Sequence, residues 1–233
     1  TVYAPRGRRR SWLLGVQAPV RRCATSAMVL VDPATGELRR WAIASNFAGY
    51  LLLPGESIES ETAMLAAGAD SHTLLEHWAT TCGRAAKMRW PEKPLIGWLS
   101  WYGYRLTITE AETLRVADLI DAKFAGLGFS VMQLDLGWNH GDLPGDWFAT
   151  NDRFPRPLKQ LARDLKQRGF RLGVWLCPFL VAAESRFARE HPEALIRNAD
   201  GSPYDMGQWY WEPKCPLFMV DPTHPLGAQF LKR

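Results

Sequence analysis

The feature that most constrains the fold of this chain is the apolar run 129–134, which is followed by Asp135, Gly137 and Trp138. A parallel strand with both faces covered reads as a nearly unbroken apolar run, and α/β folds bind ligands at its carboxyl end. A carboxylate accepts hydrogen bonds from hydroxyl groups, and an indole offers a flat apolar face. The pattern therefore predicts a buried strand whose end contacts a polyhydroxylated ring, and a sugar is the first candidate.

Predicted strands alternate with predicted helices from Leu95 onward. The strands are 95–102, 129–135 and 170–176, and the helices are 110–124, 157–168, 183–190 and 225–232. The segment Thr109–Glu112 has the pattern of a capping box, which marks the start of the first of these helices. Strands that alternate with helices predict a parallel sheet.

Two parallel architectures fit this alternation, a (β/α)8 barrel and a doubly wound sheet. The first two strands begin roughly 35 residues apart, which suits a barrel unit. No glycine-rich phosphate loop follows any strand, and this counts against the doubly wound fold. Because a full barrel needs about 250 residues, we expect an α/β chain with an incomplete (β/α)8 TIM barrel, preceded by part of an all-β sandwich domain.

The residues before Leu95 have a different, antiparallel pattern. Strands are predicted at 28–31, 38–44, 50–53 and 57–65, with turns at 32–36 and 54–56. A helix is predicted over 70–86, with an apolar stripe made of Leu74, Leu75, Trp78 and Ala79. A stiff linker, 89–94, follows. We therefore expect the end of an amino-terminal β-sandwich with its linker helix in 1–90, and the first three or so β/α units of the barrel in 91–233.

The cysteine content and the absence of long apolar runs indicate the cellular compartment of the protein but not its chemical activity. The four cysteines form no CxxC pair and have no metal-ligand spacing to the five histidines. We therefore expect reduced thiols in the cytoplasm, without a disulfide framework or a cysteine–histidine metal site. No apolar run is long enough to cross a bilayer and no signal-peptide pattern is present, so no membrane partner is expected.

Basic residues cluster near the start of the chain, whose net charge is +4. The cluster consists of Arg6, Arg8, Arg9 and Arg10. No recognition motif follows it, so we interpret it as a solvated arm and expect no nucleic-acid partner.

Both ends of the chain are expected to be cut, because it starts at Thr1 without methionine and stops at Arg233 within the last predicted helix. An open barrel leaves a parallel edge strand unpaired and its apolar inner face wet. We therefore expect poor solubility of residues 1–233 alone.

Aromatic and acidic side chains gather where the predicted strands end. They are Trp101 and Tyr102 at the end of the first strand, Asp135 and Trp138 after the second, Asp142, Asp146 and Trp147 in the next loop, and Trp175 and Cys177 near the end of the third. Because the carboxyl ends of barrel strands face the active site, these residues predict a bowl of indoles around a few carboxylates.

Each of these assignments has an alternative. Asp135 is the only charge in its run, which favours a ligand role over capping of its own loop. Packing roles for Trp101, at the barrel mouth, and for Trp175 stay open. Cys177 is not expected to be a nucleophile, because no histidine or cation is placed to lower its pKa. Asp135 and Asp146 are not expected to form a catalytic pair, since facing carboxylates come more easily from different strands.

Seven short sequence motifs together resemble those of a known protein family. They are 97–102, 133–138, 145–147, 153–155, 173–179, 190–192 and 220–225. In their order and spacing they resemble the melibiase-type α-galactosidases of glycoside hydrolase family 36. The β-rich front part, with its Pro54-Gly55-Glu56 turn, resembles the end of the amino-terminal β-sandwich of that family.

The resemblance implies a retaining α-galactosidase that acts on melibiose- or raffinose-type oligosaccharides in carbohydrate catabolism, without a metal or cofactor. It implies that Trp101, Asp135 and Trp175 line the galactose subsite. The other substrate-binding candidates, from the bowl of strand-end residues, are Tyr102, Asp146 and Trp147. Relatives often assemble, so a homo-oligomer of the full-length protein stays open.

The resemblance also implies catalytic residues that this chain does not contain. The nucleophile would be an aspartate at the end of strand four and the acid/base a later aspartate, both expected beyond Arg233. One residue departs from the family pattern, which usually has two adjacent aspartates where this chain has Asp135 and Leu136. A leucine cannot accept a hydrogen bond from a sugar hydroxyl, and losing such a contact shifts specificity. A different α-linked sugar, a transglycosylase of the raffinose-synthase kind and a degenerate sugar-binding protein therefore stay open.

Overall fold

Antiparallel strands and one long helix form the first of two units, Thr1–Pro91. The computed structural model describes residues 1–5, 7 and 10–232, so Arg6, Arg8 and Arg9 of the predicted basic arm lie outside the described residues, as does Arg233. The elements of this unit are β1 (Val2–Tyr3), β2 (Ser11–Val16), β3 (Ala24–Val31), β4 (Leu38–Asn46), β5 (Ala63–Gly68) and α1 (Ser71–Ala85). Strands β1, β2 and β5 form one antiparallel sheet, and β3 and β4 form a hairpin.

The hairpin predicted around residues 32–36 is confirmed. Its turn closes because the backbone N–H of Asp32 donates to the carbonyl of Glu37 at 2.8 Å. The strand predicted at 50–53 is wrong, since these residues form no strand and the Leu53 N–H donates to the Glu56 carboxylate at 2.9 Å. That bond closes the turn at residues 54–55, and the apolar residues before it pair with no strand in the described part of the chain.

The helix predicted over 70–86 is confirmed as α1, but half of its apolar stripe is wrong. Leu74 is buried and Trp78 is half-buried, whereas Leu75 and Ala79 are exposed. The indole N–H of Trp78 donates to the carbonyl of Val16 on β2 at 3.1 Å. This bond turns the Leu74–Trp78 face of the helix toward β2 and leaves the neighbouring positions in solvent.

The second unit begins at Glu92 and contains the predicted alternation of strands and helices. Its elements are β6 (Ile96–Leu99), α2 (Trp101–Tyr104), α3 (Glu110–Phe124), β7 (Phe129–Leu134), α4 (Leu158–Gln167), β8 (Arg171–Val174), β9 (Leu180–Ala182), α5 (Arg186–Glu190), β10 (Asp205–Gln208), β11 (Pro216–Met219) and α6 (Pro225–Lys232). Strands β6, β7 and β8 form the predicted parallel sheet in that order, and β10, β11 and β9 form an antiparallel one. No helix among the described residues is long and apolar enough to span a membrane.

The start of α3 shows how a local signal fixes an element of this unit. The Thr109 hydroxyl accepts the backbone N–H of Glu112 at 3.0 Å, which is one half of a capping box. The Glu112 carboxylate does not return to the cap but accepts from the Tyr104 hydroxyl at 3.1 Å and from Arg115 at 2.8 Å. The helix start is therefore bonded to α2, the segment that follows the first strand.

The main hydrophobic core of this unit joins the parallel sheet to its helices. Its members include Met132 and Leu134 of β7, Ala117 and Ile120 of α3, and Leu161 and Leu165 of α4. Met132 and Leu134 lie on one face of β7 and are buried, whereas Val131 and Gln133 on the other face are half-buried, so only one face of the strand is fully covered. The core therefore fixes β7 and, with it, the residue that follows the strand, Asp135.

Candidate functional site

The ends of the three parallel strands are bonded side by side. The first strand is shorter than predicted, because it ends before Ser100 and residues 101–104 form α2. The Ser100 hydroxyl accepts the backbone N–H of Asp135 at 2.9 Å. On the other side of β7, the backbone N–H of Trp175 donates to the carbonyl of Leu134 at 2.8 Å. These bonds bring the residues that follow all three strands to one edge of the sheet.

Asp135 is half-buried at the centre of this edge. Its Oδ1 accepts the backbone N–H of Leu136 at 2.8 Å, so the loop-capping role considered above is present. Its Oδ2 has no hydrogen-bond partner within the described part of the chain. One oxygen therefore holds the loop, and the other is able to accept a hydrogen bond from a ligand.

Leu136 and Trp138 point into the protein. Met132, Leu134, Leu136 and Trp138 are each at most 2% exposed. The alternation of β7 continues through Leu136, and residues 137–139, which follow in a bend, are all buried. Successive side chains of an extended segment point to opposite faces, which places Asp135 opposite Leu136. The expectation that Trp138 offers its face to a ligand is therefore wrong, and Leu136 is part of the core.

Other tryptophans of the predicted bowl form ring contacts around the strand ends. The rings of Trp147 and Trp175 meet edge to face with centroids 5.9 Å apart, and Trp147 packs on Trp138 at 6.1 Å. Trp147 is buried, Trp175 is half-buried and Tyr102, on α2, is largely exposed. The partly exposed indole of Trp175 therefore rests on a buried pair of tryptophans.

The carboxylates of the loop after β7 are engaged in holding that loop. Asp142 forms an ion pair with Arg153, whose Nη2 lies 2.5 Å from Oδ1 and also donates to the carbonyl of Gly137 at 2.9 Å. Asp146 accepts the backbone N–H of Arg186, the first residue of α5, at 2.9 Å. These contacts give both carboxylates a structural role, while the role of Asp146 toward a substrate stays a prediction.

Gly137 is required by the geometry of this loop. Its φ is +112°, and an added Cβ would lie 3.1 Å from the Cα of Leu106 and 3.2 Å from the carbonyl oxygen of Arg105. Both the positive φ and the close approach favour glycine. The residue therefore allows the loop after β7 to pack against the segment that follows α2.

The Cys177 thiol, at the predicted bowl, is half-buried. Burial raises the pKa of the Cys177 thiol to about 11, which keeps it protonated at neutral pH. No group of three or more His, Cys, Asp or Glu side chains that could hold a metal ion occurs among the residues that the structure describes.

Trp211 joins the candidate site although the sequence analysis did not single it out. It lies in the connection between β10 and β11, and its ring meets that of Trp101 edge to face at 5.0 Å. The guanidinium carbon of Arg105 lies 5.9 Å from its ring centroid. The available signal was a run of three aromatic residues, 209–211, in a loop.

Known proteins are similar to this chain in sequence and in fold. The α-galactosidase AgaA of Geobacillus stearothermophilus is 27% identical over 155 residues, which cover 62% of this chain and 20% of that enzyme. An α-xylosidase of Emericella nidulans is 26% identical over 164 residues, which cover 70% of this chain and 20% of that protein. The structure of TtGalA, an α-galactosidase from Thermus thermophilus in complex with stachyose, has a TM-score of 0.65 and 28% identity, over 96% of this chain and 41% of that chain.

The chain thus spans about a fifth of the length of these two curated relatives. The melibiase family profile matches residues 86–208, more than half of the chain, and includes β6, β7 and β8. The chain therefore belongs to the melibiase family.

Proposed function

We propose that this chain supplies part of the galactose-binding face of a retaining α-galactosidase that acts on melibiose- or raffinose-type oligosaccharides in carbohydrate catabolism. In this proposal residues 1–90 are the end of a β-sandwich domain, and residues 91–233 are the first units of a (β/α)8 barrel. The observation that carries the proposal is the position of Asp135 directly after the middle strand of the parallel sheet, with Trp101 after one neighbouring strand and Trp175 after the other.

The chemistry of these three residues suits a sugar ring. The carboxylate of Asp135 accepts hydrogen bonds from hydroxyl groups, and hydrogen bonds to a charged group are stronger than those between neutral groups. The half-buried indoles of Trp101 and Trp175 present apolar surface to the C–H groups of the ring. A few fixed polar groups in a mostly aromatic lining are typical of small-molecule sites.

The catalytic pair is proposed to come from later strands of the barrel. Retention at an anomeric carbon requires two carboxyl groups about 5–5.5 Å apart on opposite sides of the bond. Asp142 and Asp146 are bonded to Arg153 and to the start of α5, which favours structural roles for both. We therefore assign Asp135 to substrate binding and the nucleophile and acid/base to residues beyond Arg233. The four free cysteines support a reducing, cytoplasmic location.

One comparison favours a second candidate substrate. The α-xylosidase of Emericella nidulans covers 70% of this chain, and Leu136 takes the place of a carboxylate that is usual in the family. An α-xyloside lacks the hydroxymethyl group of a galactoside and therefore needs fewer polar partners, and the buried Leu136 supplies none to the strand ends. Specificity of this kind depends on which substrate hydroxyls find partners.

The test follows product formation by proton NMR, with the protein expressed from its complete gene and with melibiose, raffinose and p-nitrophenyl α-xyloside as substrates. We expect galactose to appear first as the α-anomer, since a double displacement retains configuration. Initial release of the β-anomer would contradict the retaining mechanism, and faster cleavage of the xyloside would select the second candidate. Transfer of galactose to a second sugar would indicate a transglycosylase, and saturable binding without any product would indicate a sugar-binding protein.

A further inference from the structure

Beyond the strand ends, the aromatic surface continues into the connection between β10 and β11. Trp211 packs edge to face on Trp101 at 5.0 Å, and Tyr210 packs edge to face on Trp211 at 4.8 Å. Tyr210 is 76% exposed and Trp211 is half-buried, so this part of the surface faces solvent. The rings thus extend from Trp101 through Trp211 to the exposed Tyr210.

Arg105 adds a cation to these rings. Its guanidinium carbon lies 5.9 Å from the centroid of Trp211, within the range of a cation–π contact. Among the described residues it forms no ion pair and its side chain makes no hydrogen bond, so its N–H groups are able to donate to a ligand. Its φ of +49° is unusual for a residue with a side chain, and such a conformation persists only where the surrounding structure imposes it.

We propose that Arg105, Tyr210 and Trp211, the outer platform, bind the sugar on the leaving-group side of the scissile bond. This proposal rests on the proposed function, because it takes the Trp101 side of the strand-end site as the galactose subsite. The platform touches Trp101 on one side and solvent on the other, as a surface for the next sugar of an oligosaccharide must. Its rings offer apolar surface for C–H groups, and its guanidinium offers donors for hydroxyl groups.

A pair of substrates separates the outer platform from the galactose subsite. The leaving group of raffinose is sucrose, whereas α-galactosyl fluoride releases only a fluoride ion. An interaction with the leaving-group sugar contributes to cleavage of the first substrate and not of the second. The variant Trp211→Ala, in the protein expressed from its complete gene, is therefore expected to lower kcat/KM on raffinose by about tenfold and on the fluoride by less than about twofold.

Two further variants control for a structural effect of this change. Trp211→Phe keeps an aromatic ring and is expected to recover part of the raffinose activity. Tyr204→Ala removes an exposed aromatic side chain just before β10 and is expected to leave both substrates unaffected. It reports any general loss caused by loosening of the segment around β10.

The outcomes separate this inference from the function on which it rests. Equal losses of kcat/KM on raffinose and on the fluoride would contradict the proposed role of the outer platform, because Trp211 would then act through Trp101 or through the stability of the fold. Unchanged kinetics on raffinose would also overturn it. Absence of cleavage of α-galactosyl fluoride by the unmodified protein would instead overturn the proposed function itself.

Discussion

The burial of apolar side chains differs between the parallel sheet of the second unit and the less covered segments of the first unit. In the second unit, Met132, Leu134 and Phe154 are completely buried. In the first unit, Leu30 and Leu51 are 61% and 77% exposed. The parallel sheet of the second unit packs against helices, whereas the hairpin of β3 and β4 pairs with no further strand in the structure.

This difference in burial determines which unit can hold a binding side chain in a fixed position. A binding side chain must be held by packing and by supporting hydrogen bonds to keep its geometry. Asp135 has both, since it follows a buried strand and its backbone N–H is bonded to Ser100. The exposed apolar surface of the first unit lacks that support, so the second unit is the part that carries the candidate site.

The largest expected effect comes from emptying the core of the second unit. Phe154→Ala removes a completely buried ring and is expected to lower the free energy of unfolding by about 3–5 kcal/mol. Leu51→Ala, the matched change in the first unit, removes an exposed side chain and is expected to change it by less than about 0.5 kcal/mol. Urea unfolding of the protein from its complete gene measures both values, and equal effects would abolish the contrast between the units.

A smaller effect is expected where the loop after β7 packs closely. Gly137→Ala forces a side chain into a φ of +112° and within 3.2 Å of the Arg105 carbonyl, at a cost of about 1–3 kcal/mol. Gly103→Ala is the control, because an added Cβ there meets nothing within 4 Å and lies in α2. Thermal unfolding should show a loss for the first variant and none for the second. Similar melting temperatures for both would show that the loop can move to accommodate a side chain.

The smallest effect is expected at a buried carboxylate of the first unit. Glu61 accepts backbone N–H groups of three residues, Arg21, Arg22 and Cys23, and the bond from Arg22 is the main cause that lowers its pKa. A lowered pKa in the folded state stabilises the fold above the usual value of 4.5, and this contribution disappears as pH falls through the folded-state value.

The variant Glu61→Gln keeps an oxygen acceptor but loses the charge. We expect its urea midpoint to lie slightly below that of the unmodified protein at pH 7, with the difference shrinking as pH falls below 4.5. Glu59→Gln is the matched control, because its side chain is exposed. A difference that grows toward acid pH would contradict the sign of this shift.

Local signals in the sequence predicted much of the second unit. The apolar run that forms β7 and the Thr109 cap of α3 each depend on neighbouring residues only, and both are confirmed. The predicted end of β6 was wrong, because Trp101 and Tyr102 continue the apolar pattern of the strand but lie on α2. The bond from Asp135 to Ser100 marks the true strand end, and no local pattern reveals it.

Long-range packing explains the other differences. Trp138 lies in a bend between the buried residues Gly137 and Asn139, so the period of a strand does not apply to it and only the packing of the loop determines its burial. The contact between Trp101 and Trp211 joins α2 to a connection far along the chain, and only the fold brings them together. In the first unit, the segment 50–53 has an apolar pattern but no partner strand, which a sequence pattern does not report.

The role of Asp135 in sugar binding is tested by the variant Asp135→Asn in the protein expressed from its complete gene, assayed with p-nitrophenyl α-galactoside. Asparagine keeps the oxygen that accepts the Leu136 N–H but replaces the second carboxylate oxygen with a donor. Asp121→Asn, an exposed position near the end of α3, is the matched control. If Asp135 binds the sugar, its variant lowers kcat/KM by about 100-fold with an unchanged melting temperature, while the control keeps full activity. Unchanged kinetics for Asp135→Asn would contradict the account, because the residue would then only cap its loop.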